Sequence, residues 1–183
     1  MLERAGAIIV PTNYIAHQIE SLYPATGGKL HVIPHAAGSG FRKCKEPPEA
    51  LRNLQPEAFS YFLYVGSAYP RKNLERTLKS YNRLPETIKC KYRFVLVLTG
   101  VSSHINNLKN NCGKLLKPSN VTILNGVSER ELARLYSSAS ALILPSMEEG
   151  FGLPVLEAMQ CGCPVITSDT VSYTHLTLPT ICS

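Results

Sequence analysis

An open, parallel α/β sheet covered by helices on both faces is the fold class this sequence predicts. Three observations carry the expectation. Short apolar runs alternate with helical patterns almost from end to end. Most of those runs lack a polar face, as strands buried on both sides do. Helix start and stop signals fall between them, which is the rhythm of repeated βαβ units.

In chain order, the candidate strands are Ala7–Val10, Leu30–Ile33, Tyr61–Val65, Phe94–Leu98, Val121–Leu124, Ala141–Leu144 and Pro164–Thr167, rich in Val, Ile, Leu and aromatics. Asn73 is placed to cap a helix that puts Leu74, Leu78 and Tyr81 on one face. Ser128 followed by Glu131 reads as a capping box, opening a helix with Leu132, Leu135 and Tyr136 inward. Pro154 suits the first turn of a helix running to Gln160, with Gly162 placed to end it. One stretch breaks the rhythm. His35 to Ser60 carries Gly38, Gly40, Pro47, Pro48, Pro56 and the basic cluster Arg42, Lys43 and Lys45. It reads as a linker plus a variable loop, with a domain boundary at its start.

Composition bounds the function classes. At 183 residues, 44% hydrophobic and 17% charged, the chain has the apolar content for a packed core of one domain, or one domain with a fragment of another. No run approaches the roughly 20 apolar residues of a membrane span, and the start Met1-Leu-Glu-Arg has no signal-peptide character. A soluble protein is expected. Six scattered cysteines fit a reducing cytosol better than a disulfide framework. Cys161 and Cys163 are spaced too closely for the usual metal or redox pair and lack a partner cluster, so they are expected as small buried residues. The net charge is +6, but the basic residues are spread along the chain without interleaved aromatics. A general preference for anions follows, and nucleic acid is not expected as a partner. Asp169 is the only aspartate, so no Asp-x-Asp metal site can hold a diphosphate. Any phosphate must be met by Arg, Lys and backbone N–H groups, and no metal cofactor is expected.

In open α/β sheets ligands sit beyond the carboxyl ends of strands, and three such ends carry unusual residues. The first is Tyr64-Val-Gly66-Ser67, followed by Arg71-Lys72-Asn73 at a helix start. A glycine that admits close approach, helix N–H groups and two cations are what a diphosphate requires; two solvated cations on a loop explain the same residues. The second is Leu124-Asn-Gly126-Val127-Ser128, where exposed backbone suits a flat base edge, although an ordinary βα turn explains it equally well. The third is Pro145-Ser-Met-Glu-Glu149-Gly150-Phe151-Gly152-Leu153-Pro-Val-Leu-Glu157-Ala. Gly150 and Gly152 free backbone N–H groups for an anion-binding nest. A carboxylate beside a phosphate site is costly unless it does something else, and accepting hydrogen bonds from vicinal sugar hydroxyls is the natural use. For Glu157 the plain alternative is a favourable charge near a helix N-terminus.

Glu149-x7-Glu157, in the context EGFGLPVLEAMQCGCPVITS, resembles the signature of the group 1 (family 4) glycosyltransferases of the two-domain GT-B fold. Tyr64-Val-Gly-Ser with Pro70-Arg-Lys-Asn-Leu resembles their donor-phosphate loop, and Gly126-Val-Ser-Glu-Arg-Glu-Leu-Ala-Arg-Leu-Tyr their base-contacting turn and helix. Ala7-Ile-Ile-Val-Pro-Thr and His31-Val-Ile-Pro-His resemble the last part of the acceptor domain and the crossover, although Ala36 stands where the family usually has glycine. The resemblance covers about residues 5 to 170 and implies the Rossmann-like C-terminal half of a GT-B fold. It implies a retaining transfer of a sugar from a nucleotide-sugar donor to a glycan, lipid or other hydroxyl acceptor. By position, Arg71, Lys72 and Glu149 take catalytic roles: the two cations at the departing diphosphate, Glu149 at the transferred sugar. Gly66, Ser67, Gly126, Val127, Gly150, Phe151, Gly152, Leu153 and Glu157 bind the donor, with Glu157 on the ribose hydroxyls. The main protein term is stabilisation of charge on the departing phosphate.

Against that family the chain is expected to be short at both ends. Residues 1–35 are read as a remnant of the acceptor domain and crossover, 36–170 as an incomplete nucleotide-sugar domain, and 171–183, thirteen residues without a formal charge, as a non-native read-through tail. The fragment is expected to bind donor without full activity. Full-length protein is expected in the cytoplasm, with peripheral association at the inner face of the membrane and a glycan or lipid-linked acceptor met through the missing domain. The rival readings are a non-catalytic nucleotide-sugar-binding module and a GT-B nucleotide-sugar epimerase; the combined Glu149/Glu157 and Arg71/Lys72 pattern disfavours the epimerase.

Overall fold

A computed structural model describes residues 2–54, 60–100, 102–117 and 120–169. The stretch read as a read-through tail lies outside them. Two parallel sheets account for every strand described. Strands β1 (Ile8–Val10) and β2 (Leu30–Val32) form a two-stranded sheet joined through helix α1 (Asn13–Leu22). Thr12 caps α1, its side chain accepting from the Ile15 amide at 3.1 Å. The larger sheet contains β3 (Ser60–Ser67), β4 (Tyr92–Thr99), β5 (Val121–Asn125), β6 (Ala141–Leu144) and β7 (Val165–Thr167) in the order β5-β4-β3-β6-β7, all parallel.

The apolar runs are strands because they sit at the centre of this sheet: Leu63, Val95, Leu96, Leu142 and Leu144 are fully buried. Strands β3 and β4 outrun their apolar patterns. Their ladder continues from Ser60 opposite Tyr92 to Ser67 opposite Thr99, and backbone pairing does not require apolar side chains at its ends.

Topology places the helices. Helix α2 (Leu74–Asn82), the short α3 (Glu86–Lys91) and α4 (Ser102–Cys112) lie in the connections that step from β3 to β4 to β5. Helices α5 (Glu129–Ser138) and α6 (Leu153–Gln160) lie in the steps from β5 back to β6 and on to β7. Right-handed crossovers running in opposite directions put their helices on opposite faces; accordingly α2 packs on α4 and α5 packs on α6. Leu74, Leu78 and Tyr81 on α2, with Leu135 and Tyr136 on α5, are buried as the spacing predicted; Leu132 is half-buried against the same core.

Two local expectations are corrected. Asn73 does not cap α2 through its side chain. It adopts a left-handed conformation (φ 58°) after the 3-10 turn Pro70–Lys72, and its Nδ2 donates instead to the Pro145 carbonyl at 3.1 Å. Only half of the capping box forms: Ser128 accepts from the Glu131 amide at 3.3 Å, while the Glu131 carboxylate serves the Ala50 amide and Arg134. The linker is strapped down where it is described. Phe41 and Leu51 are buried, a 3-10 turn spans Glu49–Leu54, the Cys44 amide donates to Ser137 Oγ at 2.9 Å, and Arg134 pairs with Glu49 at 2.8 Å. Cys161 and Cys163 are buried as expected, and burial pushes both thiols up to about 11. Among the described residues no helix is long and apolar enough to cross a membrane.

Candidate functional site

The strand order reverses at β3. Chain connections run one way through β4 to β5, then return to β6 on the other side of β3. In an open sheet the crevice at such a switch point, beyond the strands' carboxyl ends, is where ligands bind. The loops that meet there are those after β3 and β6, and they carry two of the three unusual stretches of sequence.

The two loops are bonded to each other. Lys72 Nζ lies 2.5 Å from Glu149 Oε1, with side chains only 12% and 7% exposed. Ser146, fully buried, donates its hydroxyl to the same oxygen at 2.7 Å. The Ser146 carbonyl accepts in turn from Ser168 just beyond β7. Arg71 donates through Nη1 to the Glu148 carbonyl at 3.3 Å, and its own carbonyl accepts from the Met147 amide at 2.8 Å. The cations and the carboxylate thus form one partly desolvated junction, and Arg71 keeps its guanidinium exposed.

Gly152, in the left-handed region (φ 88°), turns the chain from this junction into α6, where its carbonyl accepts from the Val155 amide at 2.9 Å. A side chain at Gly150 would meet nothing within 4 Å, so the backbone there borders open space. Phe151 is buried with its ring edge-on to His35, centroids 5.1 Å apart, and Thr12 Oγ1 donates to the Gly150 carbonyl at 3.4 Å. These contacts seat the segment carrying β1 and β2 against the glycine loop. Leu153 opens α6 and is exposed.

Glu157 lies on α6 and is hydrogen-bonded to Tyr136 of α5, whose hydroxyl donates to Oε2 at 2.9 Å. Its carboxyl is raised above the ordinary range mainly by burial; the Tyr136 hydrogen bond opposes the shift and the Glu129 charge adds to it. Gly66 and Ser67 close β3, where the Ser67 carbonyl accepts from Tyr64. Gly126 and Val127 stand at the end of the edge strand β5, two strands away from β3. They border a cavity of about 480 Å³, together with Ser128, Arg130, Glu49 and Ala50. A side chain at Gly126 would also meet nothing within 4 Å. No group of three or more metal-ligating side chains occurs among the described residues.

Arg71, Lys72 and Glu149 are therefore brought together, with Gly66 and Ser67 on the strand that feeds them. Glu157 is reached through α6 and is hydrogen-bonded to Tyr136 rather than to the Lys72–Glu149 pair. Two residues of the arrangement were not predicted for it. Ser146 stands in the glutamate stretch with no role assigned to it, and Tyr136 was expected only as an inward-facing helix residue. Neither has a local signal, because each acts through a partner fixed by the fold.

Comparison with known proteins bears on the family and the fold. The profile of the glycosyl transferases group 1 matches residues 49–177. The O-antigen chain mannosyltransferase RfbU of Salmonella typhimurium is 36% identical over 169 residues, covering 92% of this chain and 43% of that protein. The O-antigen chain mannosyltransferase B of Escherichia coli is 30% identical over 175 residues, covering 93% and 45%. The chain thus spans a little under half the length of these relatives. Among solved structures, the sucrose-phosphate synthase of Thermosynechococcus elongatus superposes with a TM-score of 0.75 at 25% identity, over 94% of this chain and 43% of that one.

Proposed function

The chain belongs to the glycosyl transferases group 1, and from that premise we propose that it is the donor-binding part of a retaining glycosyltransferase. The proposed reaction moves a hexosyl group from a nucleotide sugar to a hydroxyl of a glycan or lipid-linked acceptor. The observation that carries the reading is the Lys72–Glu149 pair at the switch point, a cation from one loop and a carboxylate from the other at 2.5 Å. A nucleotide sugar needs both charges side by side. Its diphosphate gathers negative charge as the glycosidic bond breaks, which Lys72 and the exposed Arg71 stabilise. Its sugar presents hydroxyl donors, for which Glu149 is the acceptor. With Asp169 the only aspartate, these cations take the place of a metal. Gly66 and Ser67 border the diphosphate, Gly126 and Val127 the base, and Glu157 the ribose hydroxyls. Residues 1–35, with a sheet of their own, are proposed as the end of the acceptor half and its crossover, and 36–170 as the donor domain.

Because the chain covers under half of its relatives, a second reading holds for the chain as it stands: donor binding without turnover. Calorimetric titration with GDP, UDP and their hexose conjugates tests both readings, with free hexose release as the readout of turnover. Glu157→Ala is expected to weaken diphosphate and nucleotide sugar alike, by about 1.5–3 kcal/mol or about ten- to a hundredfold. Glu149→Ala is expected to weaken the nucleotide sugar and spare the diphosphate. Equal losses for both ligands in both variants would mean that the two glutamates only support the fold.

A further inference from the structure

We infer that Tyr136 is a positioning residue for the Glu157 carboxylate, holding one of its oxygens so that the other faces the ribose diol, with Phe41 backing the ring. The inference rests on the reading of Glu157 given above. Tyr136 is fully buried, and its hydroxyl points at Glu157 Oε2 from the neighbouring helix at 2.9 Å. Phe41, the buried anchor of the linker, packs edge-on against the ring with centroids 6.0 Å apart. A ring enclosed this way cannot swing its hydroxyl to water, so the hydroxyl donates along one fixed line. Among the described residues Oε1 receives no hydrogen bond, so the carboxylate is held at one oxygen and presented at the other.

The direction of the hydrogen bond is settled by ionisation. Burial, and then the charge of Glu157, push the Tyr136 phenol far above its ordinary value, so Tyr136 keeps its proton and donates. Three titratable groups bear on Glu157 or its immediate surroundings: Tyr136 and Glu129 from α5, and Cys161 at the end of α6. Burial and Glu129 favour the protonated carboxyl, and the Tyr136 hydroxyl opposes them. A merely space-filling aromatic would pack as well without its oxygen. The oxygen works against burial and Glu129, on the side of the charged form that accepts from a diol.

The test uses the whole chain and reads the carboxyl first without any nucleotide. Carbon-13 titration of the Glu157 carboxyl is expected to give a higher midpoint in Tyr136→Phe than in the parent protein. Site-specific 3-fluorotyrosine at position 136, a stronger donor with the same ring, is expected to move it the other way. Should Tyr136→Phe not fold, the fluorotyrosine protein decides the matter by itself. A midpoint that stays put overturns the inference. Next, GDP and UDP are titrated. Tyr136→Phe should weaken the bound diphosphate by about tenfold, as expected for one charged hydrogen bond, and add nothing in a Glu157→Gln background. Equal losses in both backgrounds would also overturn it. Unchanged affinity in Glu157→Gln alone would instead sink the ribose reading of Glu157; the carboxyl titration tells the two failures apart.

Discussion

Replacing Lys72 by Met keeps the length and apolar stem of the side chain and takes the ammonium away from Glu149. An exposed ion pair is worth about 0.2–1 kcal/mol, whereas removing one partner of a buried pair costs about 3–5 kcal/mol. At 12% and 7% exposure the Lys72–Glu149 pair belongs near the buried end, eased by the Ser146 hydroxyl that stays on the same oxygen. A loss of about 3 kcal/mol is therefore expected in urea unfolding at pH 8. Adding Glu149→Gln, which still accepts from Ser146 but carries no charge, should recover about 2 kcal/mol of it. A loss under about 0.5 kcal/mol, or the same loss with and without the Glu149 carboxylate, would refute the picture of a desolvated junction at the switch point.

Two further outcomes follow from the site geometry. The Glu157 carboxyl is raised in the folded chain, chiefly by burial, so the folded state binds its proton more tightly than the unfolded one. Stability should fall as pH rises from the unfolded value, about 4.3, through the folded one. Glu157→Gln should abolish that decline, melting above the parent at pH 8 and converging with it at low pH, while binding nucleotide less well. At the glycines, Gly126→Ala should cost about 1 kcal/mol because φ there is 65°, whereas Gly150→Ala should change stability by less than about 0.5 kcal/mol. Both would put a methyl into open space beside the proposed donor, so calorimetry should show weaker nucleotide-sugar binding in each.

The strands were legible because burial on both faces writes continuous apolar runs, and their ends were not, because pairing extends onto Ser60, Ser67 and Thr99 without an apolar signal. Helices α3 and α4 left weak marks. The first is a single short stretch, Glu86–Lys91, entered from Pro85 without a side-chain cap, and the second is polar and asparagine-rich. The glycines, cations and glutamates of the candidate site were legible as local motifs at strand ends. Their pairing was not. Lys72 and Glu149 are 77 residues apart, and nothing local says that the loops carrying them meet.

What joins them is the return of the chain from β5 to β6. That step sets β6 beside β3, so the phosphate-type loop after one strand closes on the glutamate loop after the other. It also carries α5 to the opposite face from α2 and α4. The next step, in the same direction, lays α6 alongside α5 and brings the Tyr136 hydroxyl to Glu157. Had β6 instead added beyond β5, the same motifs would line an edge, Lys72 would face solvent, and Glu157 would have no reason to lie near either loop. The two contacts on which the site depends are therefore consequences of one topological reversal, which explains why the motifs gain their meaning only together.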